Sequence, residues 1–321
     1  MILQKLTMDL FKSRILIGVF GVSAWWAGCT STIKNDGKDV EVENGTETTL
    51  SVDKAPPVPA NANPLYGFWV GMFDEDINAQ PENLDETIDE MDYYSTSNKI
   101  NISIDQINGN KVEGHTVVAG NQRPFSGTYE FKDGIHYFEA SEPGDDKFDG
   151  QFKFYIKHDT LFGKWKSFKK IKVSSRTYAL VKRNFKYDPN IALEEDKETF
   201  VDWMKTKNVK IKEEETEYFI TEYASATNKI YTINASNTEL TKEQVANLKR
   251  GDIYIIRNTI YARHGYSFKK KPLRQFFDFQ DWYIPVYADI KTDLTEIEKK
   301  NIELLLRYEK NAAEYYDTFG R

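Results

Sequence analysis

Leu65-Tyr66-Gly67-Phe68-Trp69-Val70-Gly71-Met72-Phe73 is the stretch that decides the fold of the larger half of this chain. Its period is two, so Leu65, Gly67, Trp69, Gly71 and Phe73 share one face of an extended strand. A glycine on that face lets the strand bend sharply, and an aromatic two positions away fills the space it leaves. The pattern returns as Phe125-x-Gly127-x-Tyr129-x-Phe131, as Phe148-x-Gly150-x-Phe152-x-Phe154-x-Ile156 and as Leu161-x-Gly163-x-Trp165, with a fainter copy from Val112 to Val118. With Ile100-x-Ile102-x-Ile104, Ile135 to Ala140 and Arg176 to Lys182, about eight strands are predicted. Asn108-Gly109 and Lys132-Asp133-Gly134 supply hairpin turns. Eight curved antiparallel strands close most simply into an up-and-down barrel, a sandwich being the other arrangement. Such a barrel either fills its interior or holds one small ligand, and this many inward aromatics make filling at least as good an expectation.

A second signal lies from Ile253 to Phe268. Ile253, Ile256 and Ile260 recur at helical spacing, His264 continues their stripe, and Gly265 stands where a helix commonly ends. Tyr254, Arg257 and Tyr261 form a neighbouring stripe. By this spacing His264 faces a core made with Phe276 and Trp282, while Arg263 is turned about 100° away and should be more exposed. Pro272 can start a helix running to Phe279, and Thr295 to Tyr308 reads as a last helix with Ile297, Ile302, Leu305 and Leu306 inside. Thr241 with Gln244 has the pattern of a capping box.

Tyr261-Ala262-Arg263-His264-Gly265 resembles the signature of the YARHG domain, a small bacterial extracytoplasmic module. The resemblance runs over roughly Leu240 to Glu309 and takes in Arg257-Asn258, Tyr266-x-Phe268 and Asp281-Trp282-Tyr283-x-Pro285. It implies a location outside the cytoplasm and assigns no biochemical activity. Gly67-Phe68-Trp69 is similar to the opening of lipocalin-like barrels, which implies a carrier of a small apolar ligand as one alternative.

The chain has 321 residues, room for two modest domains, with 40% hydrophobic and 29% charged residues. A mean hydropathy of -0.61 argues against a polytopic membrane protein. The formal charge is -7, and residues 1–28 hold Lys5, Lys12 and Arg14 against Asp9, so removing that +2 leaves -9. An acidic chain without a basic arm repels nucleic acid and anionic lipid. The run Ile15 to Ala27 after Lys12 and Arg14 reads as a targeting segment, at about 13 residues too short for a spanning helix. Trp26-Ala27-Gly28-Cys29 resembles a lipobox, and that resemblance implies that Cys29 is a lipid anchor. Cys29 is the only cysteine, so no intrachain disulfide is possible, and with the one thiol taken by the anchor thiol catalysis is not expected. Residues 29–64 are polar and end in Ala55-Pro56-Pro57-Val58-Pro59, the composition of a disordered tether. Between the first two strands, Leu84, Ile88 and Met91 among five acidic residues read as a solvated amphipathic helix, with a cation site or a lid as the alternatives.

Residues 187–239 connect the halves. Ile191 to Lys205 reads as a helix, Lys207 to Thr216 as a charged linker, and Tyr218 to Thr221 with Lys229 to Ile233 as a strand hairpin. The four histidines, His115, His136, His158 and His264, show no metal-ligand spacing. No nucleophile elbow, phosphate loop or dinucleotide fingerprint is present. Tyr261, Arg263, His264, Tyr266 and Trp282 remain as candidate binding residues, able to grip a sugar or peptide at a helix end. A lone histidine on an apolar stripe is more often a hydrogen-bonded core group.

The sequence thus predicts an α+β multidomain chain. A lipoprotein signal peptide (1–28) and a tether (29–64) precede a β-barrel-like domain (65–186), a connection (187–239) and a small helical YARHG-like domain (240–321). Both folded halves are expected to be separately stable. The expected role is non-enzymatic binding or structural work at the cell envelope, without cofactor or metal. Expected partners are a membrane, the outer one by location class, reached through the N-terminal lipid, and an envelope glycan or protein, with no nucleic acid. A cell-wall enzyme targeted by the YARHG-like part is the other alternative.

Overall fold

The computed structural model describes residues 63–77, 96–197, 199–213 and 216–315. The targeting segment, Cys29, nearly all of the tether and the acidic helix expected from Leu84 to Met91 lie outside the described residues.

Eight antiparallel strands close into a barrel in sequence order: β1 (Gly67–Glu75), β2 (Asn98–Asn108), β3 (Lys111–Val118), β4 (Asn121–Lys132), β5 (Ile135–Ser141), β6 (Gly150–Lys157), β7 (Thr160–Ser167) and β8 (Ser175–Arg183). Each pairs with the next, and β1 closes on β8 with Trp69 opposite Lys182. The alternation read from the sequence sets the inside, where Trp69, Ile102, Phe138, Phe152, Phe154 and Leu180 are all buried. Phe138 and Phe154 stack at 4.7 Å and Phe73 meets Trp165 edge-on at 5.6 Å. Gly163 shows why glycine accompanies these rings: a Cβ there would lie 2.6 Å from Phe154 Cβ and 2.7 Å from the Tyr178 ring. The interior is filled. Two aromatics of the repeated pattern, Phe131 and Phe148, are exposed, because they lie at or beyond the strand ends.

The connection departs from the sequence reading. Residues 191–197 are irregular, and β9 (Phe200–Glu213) runs antiparallel to β10 (Thr216–Ser225) as a separate two-stranded sheet. The helix expected over Ile191 to Lys205 and the charged linker after it are therefore wrong. Thr206, Val209 and Ile211 alternate imperfectly with lysines, and cross-strand pairs such as Lys210 with Glu217 at 2.6 Å use the charge run as a ladder. Lys229–Thr232 is a helical turn, α1, instead of a strand, with Ile230 buried in the second core.

The C-terminal part is helical: α2 (Lys242–Ala246), α3 (Arg250–Arg263), α4 (Lys271–Phe277) and α5 (Glu296–Tyr315). Thr241 and Gln244 form the expected capping box, and Pro272 lies in the first turn of α4. Gly265 takes φ +72 directly after the cap of α3. That helix is buried around most of its circumference, Ile255, Thr259 and Ala262 as well as the expected stripe of Ile253, Ile256 and Ile260. In α5 the inner face is Glu298, Asn301, Ile302 and Leu305, whereas Ile297 and Leu306 are exposed, contrary to expectation. Two polar residues occupy the seam because each has internal partners. Asn301 donates to the carbonyls of Ala235 and Thr238 and accepts from Leu240 N.

The C-terminal part docks on the outer face of β1 and β2 and at the turn after β3, mainly through the segment that follows α4. Val70 packs with Ile284 and Val286, and Lys99, Asn101, Ser103 and Val117 are buried on the outside of the barrel. Gly120, between β3 and β4, donates its N–H to Ser267 Oγ at 2.9 Å.

Candidate functional site

The end of α3 assembles the residues singled out by the sequence. Arg263 is 5% exposed, against the expectation that it faces outward. Its Nε and Nη2 donate to the carbonyl of Ile191 at 2.9 and 2.7 Å, and Nη1 donates to Asn234 Oδ1 and Ser236 Oγ. The irregular segment before β9 and the loop after α1 wrap that side of the helix, which a helical wheel of α3 alone does not show. Burial lowers the Arg263 guanidinium to about 10, although Tyr187, Glu298 and Asp188 oppose the shift.

His264 is buried as expected, but with other neighbours. Its ring stacks on Tyr187 at 4.1 Å, while Phe276 packs on Phe277 and Trp282 on Tyr283. His264 Nε2 lies 2.8 Å from Glu298 Oε2, and Tyr187 OH donates to Glu298 Oε1 at 3.0 Å. Thr295 N donates to the same Oε2, and Glu298 N donates to Thr295 Oγ1, a capping box at the start of α5. Burial pushes the Glu298 carboxyl up, but the His264 and Thr295 hydrogen bonds outweigh it and hold the group below its ordinary value. An ionised Glu298 requires the proton on His264 Nε2. Burial, then the Glu298 carboxylate, pushes the Tyr187 phenol up.

The remaining candidates keep an exposed edge. The Tyr261 and Tyr266 rings lie 6.1 Å apart, with the Arg257 guanidinium 5.9 Å over Tyr261 and held by Glu309 through Nε and Nη2. Trp282 is half-buried and donates to Gln280 Oε1. The structure thus brings Arg263 and His264 together inside, pairs Tyr261 with Tyr266 beside them, and sets Trp282 on the separate segment that meets the barrel.

Residues 228–310 match the YARHG domain family. The C-terminal region of this chain is a YARHG domain. It begins about a dozen residues before the resemblance read from the sequence, and so takes in α1 as well as the loop that receives Arg263. No curated protein and no solved structure matches the chain.

Sequence reasoning missed two polar centres. At the seam between barrel and YARHG domain, Lys99 Nζ donates to the carbonyls of Gln280 and Tyr283, and Lys99 N donates to Asp278 Oδ2 at 2.8 Å. Burial pulls Lys99 down to about 8 and pushes Asp278 up to about 7, each opposed by the other's charge. Inside one mouth of the barrel, Glu142 accepts from Gly150 N, Trp165 Nε1 and Thr116 Oγ1. Burial raises it to about 7. Beside it Arg123 grips Asp149 through Nε and Nη2 and also meets Asp145. An open groove of about 780 Å³ lined by Asp105, Glu113, Phe125 and Glu142 crosses the adjoining strands. No sequence signal marks either centre, because each joins residues far apart in the chain. Glu298 was findable: Thr295-x-x-Glu298 is a capping-box pattern in the sequence.

Proposed function

We infer that this is a lipid-anchored, extracytoplasmic protein of the bacterial cell envelope with a non-enzymatic, binding or structural role. In this reading the YARHG motif acts as the internal tie of its domain. One observation supports it above the others: the polar side-chain atoms of Arg263 and the Nε2 of His264 are directed at the protein's own Ile191, Asn234, Ser236 and Glu298. A ligand-gripping motif would present those donors outward. The Asp281-Trp282-Tyr283 block of the same domain lies at the barrel seam, where Arg183 Nη2 donates to Asp281 O.

The carrier alternative needs a hollow interior, and Trp69, Phe138, Phe152, Phe154 and Leu161 occupy the barrel axis. The cell-wall enzyme alternative needs a nucleophile and base converging in a cleft, whereas the motif histidine faces a buried carboxylate. Outer-membrane location and an envelope glycan or protein partner belong to the same proposal.

Fractionation of cells carrying Cys29→Ser tests the anchor. Release into the soluble envelope fraction, or a block in processing before residue 29, is expected, since stable attachment needs the acyl chains. Unchanged membrane retention with normal cleavage overturns it. Pull-down on purified envelope fractions with Arg263→Ala and Tyr261→Ala tests the motif's role. A folded Arg263→Ala protein that loses attachment would make the motif a binding site instead.

A further inference from the structure

Strand β7 faces outward with Phe162, Lys164 and Lys166, and Phe168 continues the alternation into the following loop. Their inward neighbours Leu161 and Trp165 are core residues. Phe162 is 37% and Phe168 50% exposed. On β6, Lys153 lies opposite Lys164 and Tyr155 opposite Phe162. Tyr155 in turn lies opposite Tyr137 of β5, and the three rings follow one another at 6.2 and 5.5 Å. Val181 on β8 is 46% exposed. Beyond Phe168 the loop adds exposed Lys169, Lys170 and Lys172.

No outward-facing strand position of β6, β7 or β8 between Gln151 and Val181 holds Asp or Glu. In a chain of formal charge -7 this is a local segregation of charge and not a result of composition. Two lysines directly opposite each other destabilise a sheet. Lys153 and Lys164 are offset by Glu139 and Asp76 at the margins. Among the described residues, Lys157, Lys166, Lys169, Lys170 and Lys172 make no ion pair. The face therefore combines uncompensated lysines with exposed rings, an arrangement unfavourable to the isolated barrel. Its cations are lysines, point charges on apolar stems that follow a diffuse anionic surface. The one arginine at its edge, Arg183, is tied to Asp281 O. Exposed Phe168 and Val181 suit an acyl boundary better than a polar polymer.

We propose that this lysine and aromatic face of β5 to β8 binds the surface of an anionic phospholipid bilayer. Phe168 at one end of the face and the Tyr137, Tyr155 and Phe162 rings at the other enter the headgroup region, and the lysines meet the negative surface potential. This goes beyond the lipid anchor and is independent of it, since it needs no acyl chain.

The test uses the chain from residue 29 onward with Cys29→Ser, produced without residues 1–28, so that neither the lipid nor the apolar targeting run is attached. Cosedimentation with vesicles of phosphatidylglycerol and phosphatidylcholine is compared with phosphatidylcholine alone. Binding to the anionic vesicles that weakens as salt rises is expected. The triple variant Lys166→Gln, Lys170→Gln, Lys172→Gln should partition about a hundredfold more weakly, and Phe168→Ser about tenfold more weakly. These positions are exposed and the lysines among them are uncompensated, so melting temperatures should not fall. Equal binding to both vesicle types, or a triple variant that binds as wild type, overturns the proposal. So does a preference for single-stranded RNA over vesicles, or a lysine-dependent dimer without vesicle binding. If the acidic stretch Glu82 to Glu90 of the same chain were the occupant, the triple variant would melt lower and no form would bind vesicles. Failure of the anchor experiment leaves this result standing, and the reverse also holds.

Discussion

His264 Nε2 and Glu298 Oε2 lie 2.8 Å apart with both side chains buried, so the end of α3 and the start of α5 are joined by a charge-assisted hydrogen bond. The Tyr187 ring covers the histidine and its hydroxyl takes the second carboxylate oxygen. A helix cap, an aromatic stack and a charge-assisted hydrogen bond thus meet on one carboxylate.

Removing the histidine leaves that carboxylate buried and without its main partner. His264→Ala should destabilise the YARHG domain by about 3–5 kcal/mol. Adding Glu298→Gln should restore part of the loss, because the two groups act as a unit. Glu298 is held below its ordinary 4.5. Its contribution is therefore present above the unfolded value and is lost as pH falls through the folded one. Thermal melts of the four forms at pH 7 and near pH 3 check both statements, and additive losses would contradict the coupling.

Arg263 reaches three acceptors on two segments with a planar fork, which lysine cannot copy. Arg263→Lys should therefore lower stability by about 1–3 kcal/mol, the range for leaving buried acceptors unmet. A denaturant midpoint equal to wild type would show that the fork is dispensable.

Glu142 gives the opposite pH dependence. Its folded value of about 7 lies above the ordinary 4.5, so its favourable contribution is complete below about pH 4.5 and is lost as pH rises through 7. Glu142→Gln keeps an acceptor for Gly150 N and Trp165 Nε1 and removes the ionisation. The variant should gain on the order of 2–3 kcal/mol over wild type between pH 5 and pH 8. Melts at the two pH values that show the same difference would remove this assignment.

Gly120 holds φ +77, and a Cβ there would lie 2.9 Å from both Cα and N of Lys269, backbone atoms that cannot step aside. Gly120→Ala should loosen the seam by about 1–2 kcal/mol from the left-handed backbone alone. Hydrogen exchange should quicken at the amides of Gly120 and Lys99, which bond to Ser267 and Asp278 across the seam. Unchanged protection at both amides would show that the seam does not depend on this contact.

The barrel was legible because its information is local. Each strand repeats apolar residues every second position, each turn has its own glycine or asparagine, and the Gly-aromatic spacing tells which face is inside. Helix α3, its glycine stop and the YARHG resemblance were legible for the same reason. The β9 to β10 hairpin was not, since Val209 and Ile211 among lysines resemble a linker until Thr216–Ser225 pairs with them. Periodicity also placed Ile297 and Leu306 inside α5, where Glu298 and Asn301 in fact lie. A polar side chain becomes a core residue only when a partner meets it, and those partners come from Tyr187, His264, Ala235 and Leu240. The sequence by itself determined where chain segments fold and which face of each strand is apolar. Only the tertiary structure decided that Arg263 is buried, that Lys99 meets Asp278, and that the lysines of β6 and β7 share one face, because hydrogen bonds and charges act through space and not along the chain.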